Sequence, residues 1–272
     1  MLSYILLGLI QGITEFLPVS SSGHLILFKD TLGLGQDIIL DVTLHIATLT
    51  AVVIYYRKKL YSLTLSIFYL ILLKLKVVPL KSANSLNKYK KDARFVSFLI
   101  LATIPAALLG YFYNDFFESL RSPLIVATML IVVALLMLYD HLRTSAKATH
   151  FSYKNAILVG LAQAVAIIPG TSRSGITITL ASLLGIKKEE AADFTFMLSI
   201  PVILGAFLFK ISDISSFSVF FNTRVIVSFL TALLSGYFSI GLLINILKKY
   251  GFMPFIIYRI VLAGVVLVFL FL

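Results

Sequence analysis

Residues 11–24 read Gln11-Gly-Ile-Thr-Glu15-Phe-Leu-Pro18-Val-Ser20-Ser21-Ser22-Gly23-His24, a polar stretch set between apolar runs at 1–17 and 20–28. Proline, serine and glycine break a helix here. Broken backbone at membrane depth must be buried in protein or line a wet cavity, because lipid offers its N–H and C=O groups no partner. A second interruption, Pro169-Gly170-Thr171-Ser172-Arg173-Ser174-Gly175, falls in the other half of the chain. The two stretches read as the tips of re-entrant helical hairpins over 1–34 and 153–186.

The composition around them is that of a membrane protein. Of 272 residues, 60% are hydrophobic and 13% charged, with a mean hydropathy of +1.02, which leaves too little polar surface for a soluble domain. Apolar runs at 38–56, 95–113, 123–139, 191–209, 224–247 and 252–272 approach the ~20 residues a bilayer requires. The expected fold is all-α and polytopic: one integral membrane domain of six transmembrane helices and two re-entrant hairpins. The run 62–73 is followed by Lys74, Lys76, Lys81, Lys88, Lys90, Lys91 and Arg94, which predicts an interfacial helix within a basic cytoplasmic loop over 57–94.

Net charge of +11 comes from 23 Lys and Arg spread through short connections, so the anionic partner is lipid head groups rather than nucleic acid. The absence of cysteine excludes disulfides and thiolate catalysis. The first 30 residues have no basic segment followed by a cleavage site and read as mature protein.

With the basic loop in the cytoplasm, Arg143, Lys147, Lys154, Lys248 and Lys249 also fall inside. The loop of Asp115 and Glu118 and both termini then fall outside. The first hairpin enters from outside and the second from inside.

Sliding the chain on itself reveals a repeat. At an offset of 152, Gly8, Gln11, Ser20, Ser22, Gly23, Gly33, Asp41 and Thr43 meet Gly160, Gln163, Ser172, Ser174, Gly175, Gly185, Asp193 and Thr195. At an offset of 126, Gly110-Tyr111-Phe112 meets Gly236-Tyr237-Phe238. Repeat one covers roughly 1–140 and repeat two roughly 153–272. An odd number of spans per repeat inverts the second half, bringing the hairpin tips together near the midplane.

Several residues there can carry chemistry. Gln11 and Glu15 share one helical face, and a carboxylate at such depth normally has a partner and a task. The sharper reading is divalent-cation binding with the Gln11 carbonyl; the plainer one is a structural Glu. Ser20, Ser21, Ser22 and His24 put hydroxyls beside an imidazole, enough for a nucleophile and a general base, although serine runs also form turns and caps. Thr171, Ser172, Arg173 and Ser174 precede a helix in the way that suits a phosphate, with the guanidinium fork as a bidentate partner. Asp41 and Asp193 suit the capping of span starts. His45, one turn beyond Asp41, is a supporting candidate. Arg259, inside the last apolar segment, is expected to bind substrate or pair with a carboxylate.

In these residues the chain resembles the undecaprenyl pyrophosphate phosphatases, bacterial membrane enzymes associated with bacitracin resistance. The resemblance runs over nearly the whole chain and is carried by QGITEFLPVSSSGH at 11–24, DVTLHIATLTAVV at 41–53, PGTSRSG at 169–175 and YRI at 258–260. Gln11 stands where many members carry Glu. The resemblance implies removal of the terminal phosphate of undecaprenyl pyrophosphate, which recycles the lipid carrier of cell-wall synthesis. It also implies an inverted-repeat fold in the bacterial plasma membrane with the site open to the external face.

By similarity Ser21 is the nucleophile, His24 its acid-base partner and Arg173 the pyrophosphate clamp. Glu15 and Gln11 form the region for a divalent cation, Mg2+ or Ca2+. Ser22 and His24 remain alternative nucleophiles. The partners expected are undecaprenyl pyrophosphate and membrane lipid, with a homodimer as the candidate assembly. The rival reading is a polyprenyl-phosphate flippase or secondary transporter, which would use the same cavity without a nucleophile.

Overall fold

The computed structural model describes residues 1–31, 37–79, 82–143, 149–210 and 220–271. Gly33, the end of the first hairpin at 34, Lys81 and Lys147 lie outside the described residues. Within them the chain is helical and contains no strand: α1 (Leu2–Phe16), α2 (Ser21–Thr31), α3 (Ile38–Tyr55), α4 (Arg57–Lys74), α5 (Ala83–Phe112), α6 (Asn114–Ser119), α7 (Pro123–Leu142), α8 (Tyr153–Val165), α9 (Arg173–Leu183), α10 (Lys188–Lys210), α11 (Thr223–Tyr250) and α12 (Met253–Phe271).

Among the described residues, five helices (α5, α7, α10, α11 and α12) are long and apolar enough to cross a membrane. Helices α3 and α4 pass the same test together but are bent by 77° at their junction, so a count of six spans takes that pair as one. The stretch 57–94, expected as a basic loop carrying a helix at 62–73, is mostly helix: α4 spans the expected helix and extends it to Arg57–Lys74, and the opening turns of α5 take up the last part. The reason lies in the polar groups between the lysines. Asp92 on α5 accepts hydrogen bonds from Ser62 and Ser66 of α4 at 3.2 and 2.7 Å, folding α4 back along α5. Lysine is itself a good helix former whose stem covers apolar surface.

Two helix–turn–helix units, α1–α2 and α8–α9, hold the interrupted sequences. At ~1.5 Å per residue, helices of 15, 11, 13 and 11 residues are all shorter than the roughly 30 Å of a bilayer's hydrocarbon core. α1 stops because Pro18 follows: Leu17 is pushed out of the helical region to φ −65°, ψ 141°. α8 opens under the Ser152 side chain, which accepts from the Asn155 amide.

Each unit packs its first helix against a long helix of the other half. α1 lies on α11, where Gly8 and Gly12 let backbones touch; a Cβ at Gly12 would sit 2.4 Å from the Ala232 carbonyl oxygen. α8 lies on α5, where a Cβ at Gly160 would sit 2.7 Å from the Ala102 carbonyl oxygen. Beneath the two tips, Phe16, Val19, Met137, Phe194 and Phe196 belong to one apolar core. These contacts present both turns to one another.

Candidate active site

The two turns are built alike. Ser20 and Ser172 have φ of 74° and 71°, the left-handed region that a side chain normally avoids. In each, the hydroxyl caps the helix that follows: Ser20 Oγ accepts from the Gly23 amide at 3.2 Å, and Ser172 Oγ from the Gly175 amide at 3.1 Å. Each hydroxyl also meets a serine two residues on, Ser22 at 3.3 Å and Ser174 at 3.2 Å. Gly170, at φ 89°, crosses α7 so closely that a Cβ would lie 2.5 Å from the Val126 carbonyl oxygen. Strain of this kind persists only where the surroundings over-determine it.

Arg259 of α12 is a main source of that determination. Its side chain is fully buried, and its guanidinium donates to five backbone carbonyls. Nη1 reaches Pro18 at 3.1 Å, Nη2 reaches Met129, Gly170 and Thr171 at 3.0 to 3.1 Å, and Nε reaches Leu130 at 3.1 Å. The expected pairing with a carboxylate is therefore corrected: the partners of this guanidinium are backbone carbonyls. Arg259 ties both turns to α7, because the irregular carbonyls of the turns need a donor at a depth where lipid offers none.

Glu15 stands between the turns. Its Oε1 accepts from Arg173 Nη2 at 2.7 Å, and its Oε2 accepts from Ser21 Oγ at 2.6 Å and from Gln11 Nε2 at 3.0 Å. Gln11 and Glu15 meet as the i, i+4 spacing predicts. Arg173 is the first residue of α9, so the guanidinium is carried at the amide-bearing start of that helix. One carboxylate thus joins the arginine of one turn to a hydroxyl of the other. Ser21 is partly exposed.

His24 is not on Ser21, contrary to the expected Ser–His pair. Its Nδ1 lies 2.7 Å from the Ser20 carbonyl oxygen and its Nε2 lies 2.6 Å from the Tyr258 hydroxyl. The cause is helical register: Ser20 is one turn back from His24, and its carbonyl takes the ring nitrogen. Tyr258 had no role assigned from sequence, because it stands 234 residues from His24 and beside the more conspicuous Arg259.

The remaining candidates divide. Ser172 and Ser174 were expected to hold phosphate, but their hydroxyls cap α9, bond each other and, from Ser174, reach the Leu17 carbonyl at 3.2 Å. These are turn-building roles. Thr171 Oγ1 is buried with no partner among the described residues. Ser22 is exposed and faces Ser20. The cap of α3 is Asp37, which accepts from the Ile39 and Leu40 amides, and not Asp41, one turn later. The Asp41 carbonyl accepts from His45 Nδ1 at 2.8 Å, and His45 lies within electrostatic reach of Glu15. Asp193 accepts the Tyr56 hydroxyl at 2.5 Å, so it ties α10 to the end of α3.

For a metal, no group of three His, Cys, Asp or Glu occurs among the described residues. One feature does fit a hard cation: Gln11 Oε1 is a buried carbonyl oxygen with no partner among the described residues, next to the Glu15 carboxylate. Two such oxygens suit an ion that takes its other ligands from phosphate and water, the habit of Mg2+.

The chain matches the family model for "Bacitracin resistance protein BacA" over residues 4–265. Among curated relatives it is 38% identical to the undecaprenyl-diphosphatase of Elusimicrobium minutum, over 97% of this chain and 96% of that protein. It is 39% identical to that of Rubrobacter xylanophilus, over 98% and 97%. To that of Alcanivorax borkumensis it is 42% identical, over 97% of each.

Proposed function

The chain belongs to the bacitracin resistance protein BacA family, and from that premise we propose that its two-turn site hydrolyses undecaprenyl diphosphate to undecaprenyl phosphate and inorganic phosphate. This regenerates the lipid carrier of bacterial cell-wall synthesis and accounts for the family's link to bacitracin. The observation that carries the reading is the placement of the Glu15 carboxylate, 2.6 Å from Ser21 Oγ and 2.7 Å from Arg173 Nη2. A transporter would need the arginine but not a hydroxyl held on a base, and the relatives carry the name of a hydrolase.

The chemistry follows from the contacts. Arg173 and the amides at the start of α9 take the diphosphate, which competes with Glu15 for the guanidinium. Ser21 Oγ attacks the terminal phosphorus while its proton passes to Glu15 Oε2, the oxygen it already faces. The bridging P–O bond breaks and undecaprenyl phosphate leaves with its tail still in lipid. Water then attacks the phosphoserine, and the base for that step is His24, whose imidazole sits four residues from Ser20 on the same turn. Glu15 with Gln11 Oε1 would hold a divalent cation, Mg2+ or Ca2+, whose contribution is to offset the negative charge of the diphosphate. Ser21 rather than Ser22 is the nucleophile on this account, because Ser22 faces a serine and not a carboxylate. The site opens to the external face of the bacterial cytoplasmic membrane, where the first hairpin enters.

The test is phosphate release from undecaprenyl diphosphate by purified protein in detergent, with and without EDTA. Release that EDTA abolishes and added Mg2+ or Ca2+ restores supports the reading. No release under conditions in which a related undecaprenyl-diphosphatase is active would exclude it.

A further inference from the structure

Both ring nitrogens of His24 are engaged, and their partners decide where the proton sits. The Ser20 oxygen 2.7 Å from Nδ1 is a carbonyl and only accepts, so Nδ1 carries hydrogen. In the neutral imidazole Nε2 is then bare, and the Tyr258 hydroxyl 2.6 Å away donates to it. The phenol ring lies nearly parallel to the imidazole, at 15° with centroids 5.7 Å apart. Phe28 stacks with His24 at 7° and 6.3 Å. Tyr258 is also held from behind: its neighbour Arg259 is bonded to the carbonyls of both turns, so α12 cannot shift relative to the hairpin that carries His24.

A ring that merely filled space would have no use for a hydroxyl aimed at a buried nitrogen. His24 is 3% exposed, whereas Tyr258 is 45% exposed, so the tyrosine closes the buried imidazole off on its Nε2 side. Building on the phosphatase reading above, we infer that Tyr258 is a positioning residue that holds His24 as the Nδ1–H tautomer with Nε2 as its basic nitrogen. In the second step of the proposed reaction that nitrogen takes a proton from the attacking water. In that step the water oxygen bonds to phosphorus and the Ser21 Oγ–P bond breaks. The proton from water goes to Nε2, and the proton held on Glu15 returns to Oγ.

The test uses the full chain in detergent micelles with Tyr258→Phe, which keeps the ring and removes the hydroxyl. Nitrogen NMR of histidine-labelled protein reads the tautomer without reference to activity, and loss of signals in His24→Gln identifies His24 among the 4 histidines. The expected wild-type spectrum has a protonated Nδ1 and a bare, hydrogen-bonded Nε2, and Tyr258→Phe shifts Nε2 while leaving Nδ1. A proton on Nε2 in the neutral wild type, or an unchanged spectrum in the variant, would overturn the inference. In kinetics Tyr258→Phe lowers kcat roughly 10- to 100-fold with KM unchanged, as losing the partner that orients a functional histidine does. In the His24→Gln background it costs nothing further. An equal loss in both backgrounds would show that Tyr258 acts independently of His24. A wild type that releases no phosphate would overturn the phosphatase reading itself, and the spectrum alone would then decide the tautomer.

Discussion

Glu15 and Arg173, 158 residues apart in sequence, meet at 2.7 Å between the tips of two separate hairpins. Both side chains are nearly enclosed, at 7% and 15% exposed, so the charges hold each other where little water reaches them. Through Glu15 the arginine that opens α9 is linked to the Ser21 hydroxyl. On the function proposed above, a diphosphate entering the site would find this arginine already ordered, which lowers the ordering cost of binding.

Removing one member of that pair should harm stability as well as activity. Arg173→Met leaves a buried carboxylate without its counter-charge and should cost roughly 3–5 kcal/mol of stability. Adding Glu15→Gln should restore most of that loss while activity stays absent. Thermal unfolding followed by circular dichroism in detergent, beside phosphate release, separates the two effects. Equal stability of the single and double variants would contradict the pairing.

The three serines of the first turn should behave differently. Ser21→Ala should lower phosphate release by at least about 10³-fold, since it removes the attacking oxygen. Ser22→Ala should stay within a factor of about five of wild type. Ser20→Ala should lose about 1 kcal/mol of stability through its helix cap, with activity falling in step. Mass spectrometry of acid-quenched protein should find the phosphate on Ser21, and its recovery on Ser22 would reassign the nucleophile.

Arg259→Lys should be nearly as damaging as Arg259→Met. A lysine offers three donors from one point and cannot span carbonyls on Pro18, Leu130 and Thr171. Each buried carbonyl left bare costs about 1–3 kcal/mol. Faster proteolysis within the two turns, together with a lower unfolding temperature, is the expected outcome. A fully stable Arg259→Lys protein with lost activity would instead point to a direct role on substrate.

Glycine substitutions offer an internal control. Gly170→Ala places a Cβ 2.5 Å from the Val126 carbonyl oxygen at φ 89°, so it should abolish activity and destabilise the fold. Gly12→Ala, 2.4 Å from the Ala232 carbonyl oxygen, should prise α1 from α11. Gly205→Ala and Gly264→Ala, with nothing within 4 Å, should be neutral or slightly stabilising in the same unfolding assay.

Much of this arrangement was legible in the sequence, and for physical reasons. Long apolar runs must cross lipid, so 95–113, 123–139, 191–209, 224–247 and 252–272 announced α5, α7, α10, α11 and α12 directly. Polar, helix-breaking sequence inside apolar surroundings is too unfavourable to be accidental, which singled out the turns of Pro18 and Pro169. The pairing of Gln11 with Glu15 followed from helix geometry alone. The charged stretch 57–94 was less legible, because lysines describe a solvated surface equally well as helix or loop.

Only the tertiary structure decided what each polar side chain does within the site. Sequence spacing put His24 beside Ser21, but the direction of its ring depends on the Ser20 carbonyl and on a tyrosine 234 residues away. Spacing likewise left Arg259 open to a carboxylate or a phosphate. Five carbonyls from three parts of the chain claim it, and no local pattern records where turns will leave their backbone oxygens. Residue types at depth therefore determined that a site exists and which charges it contains. Long-range packing determined which of those groups bond to the scaffold and which meet one another between the two turns, since hydrogen bonds depend on angles and on distances of a few tenths of an ångström.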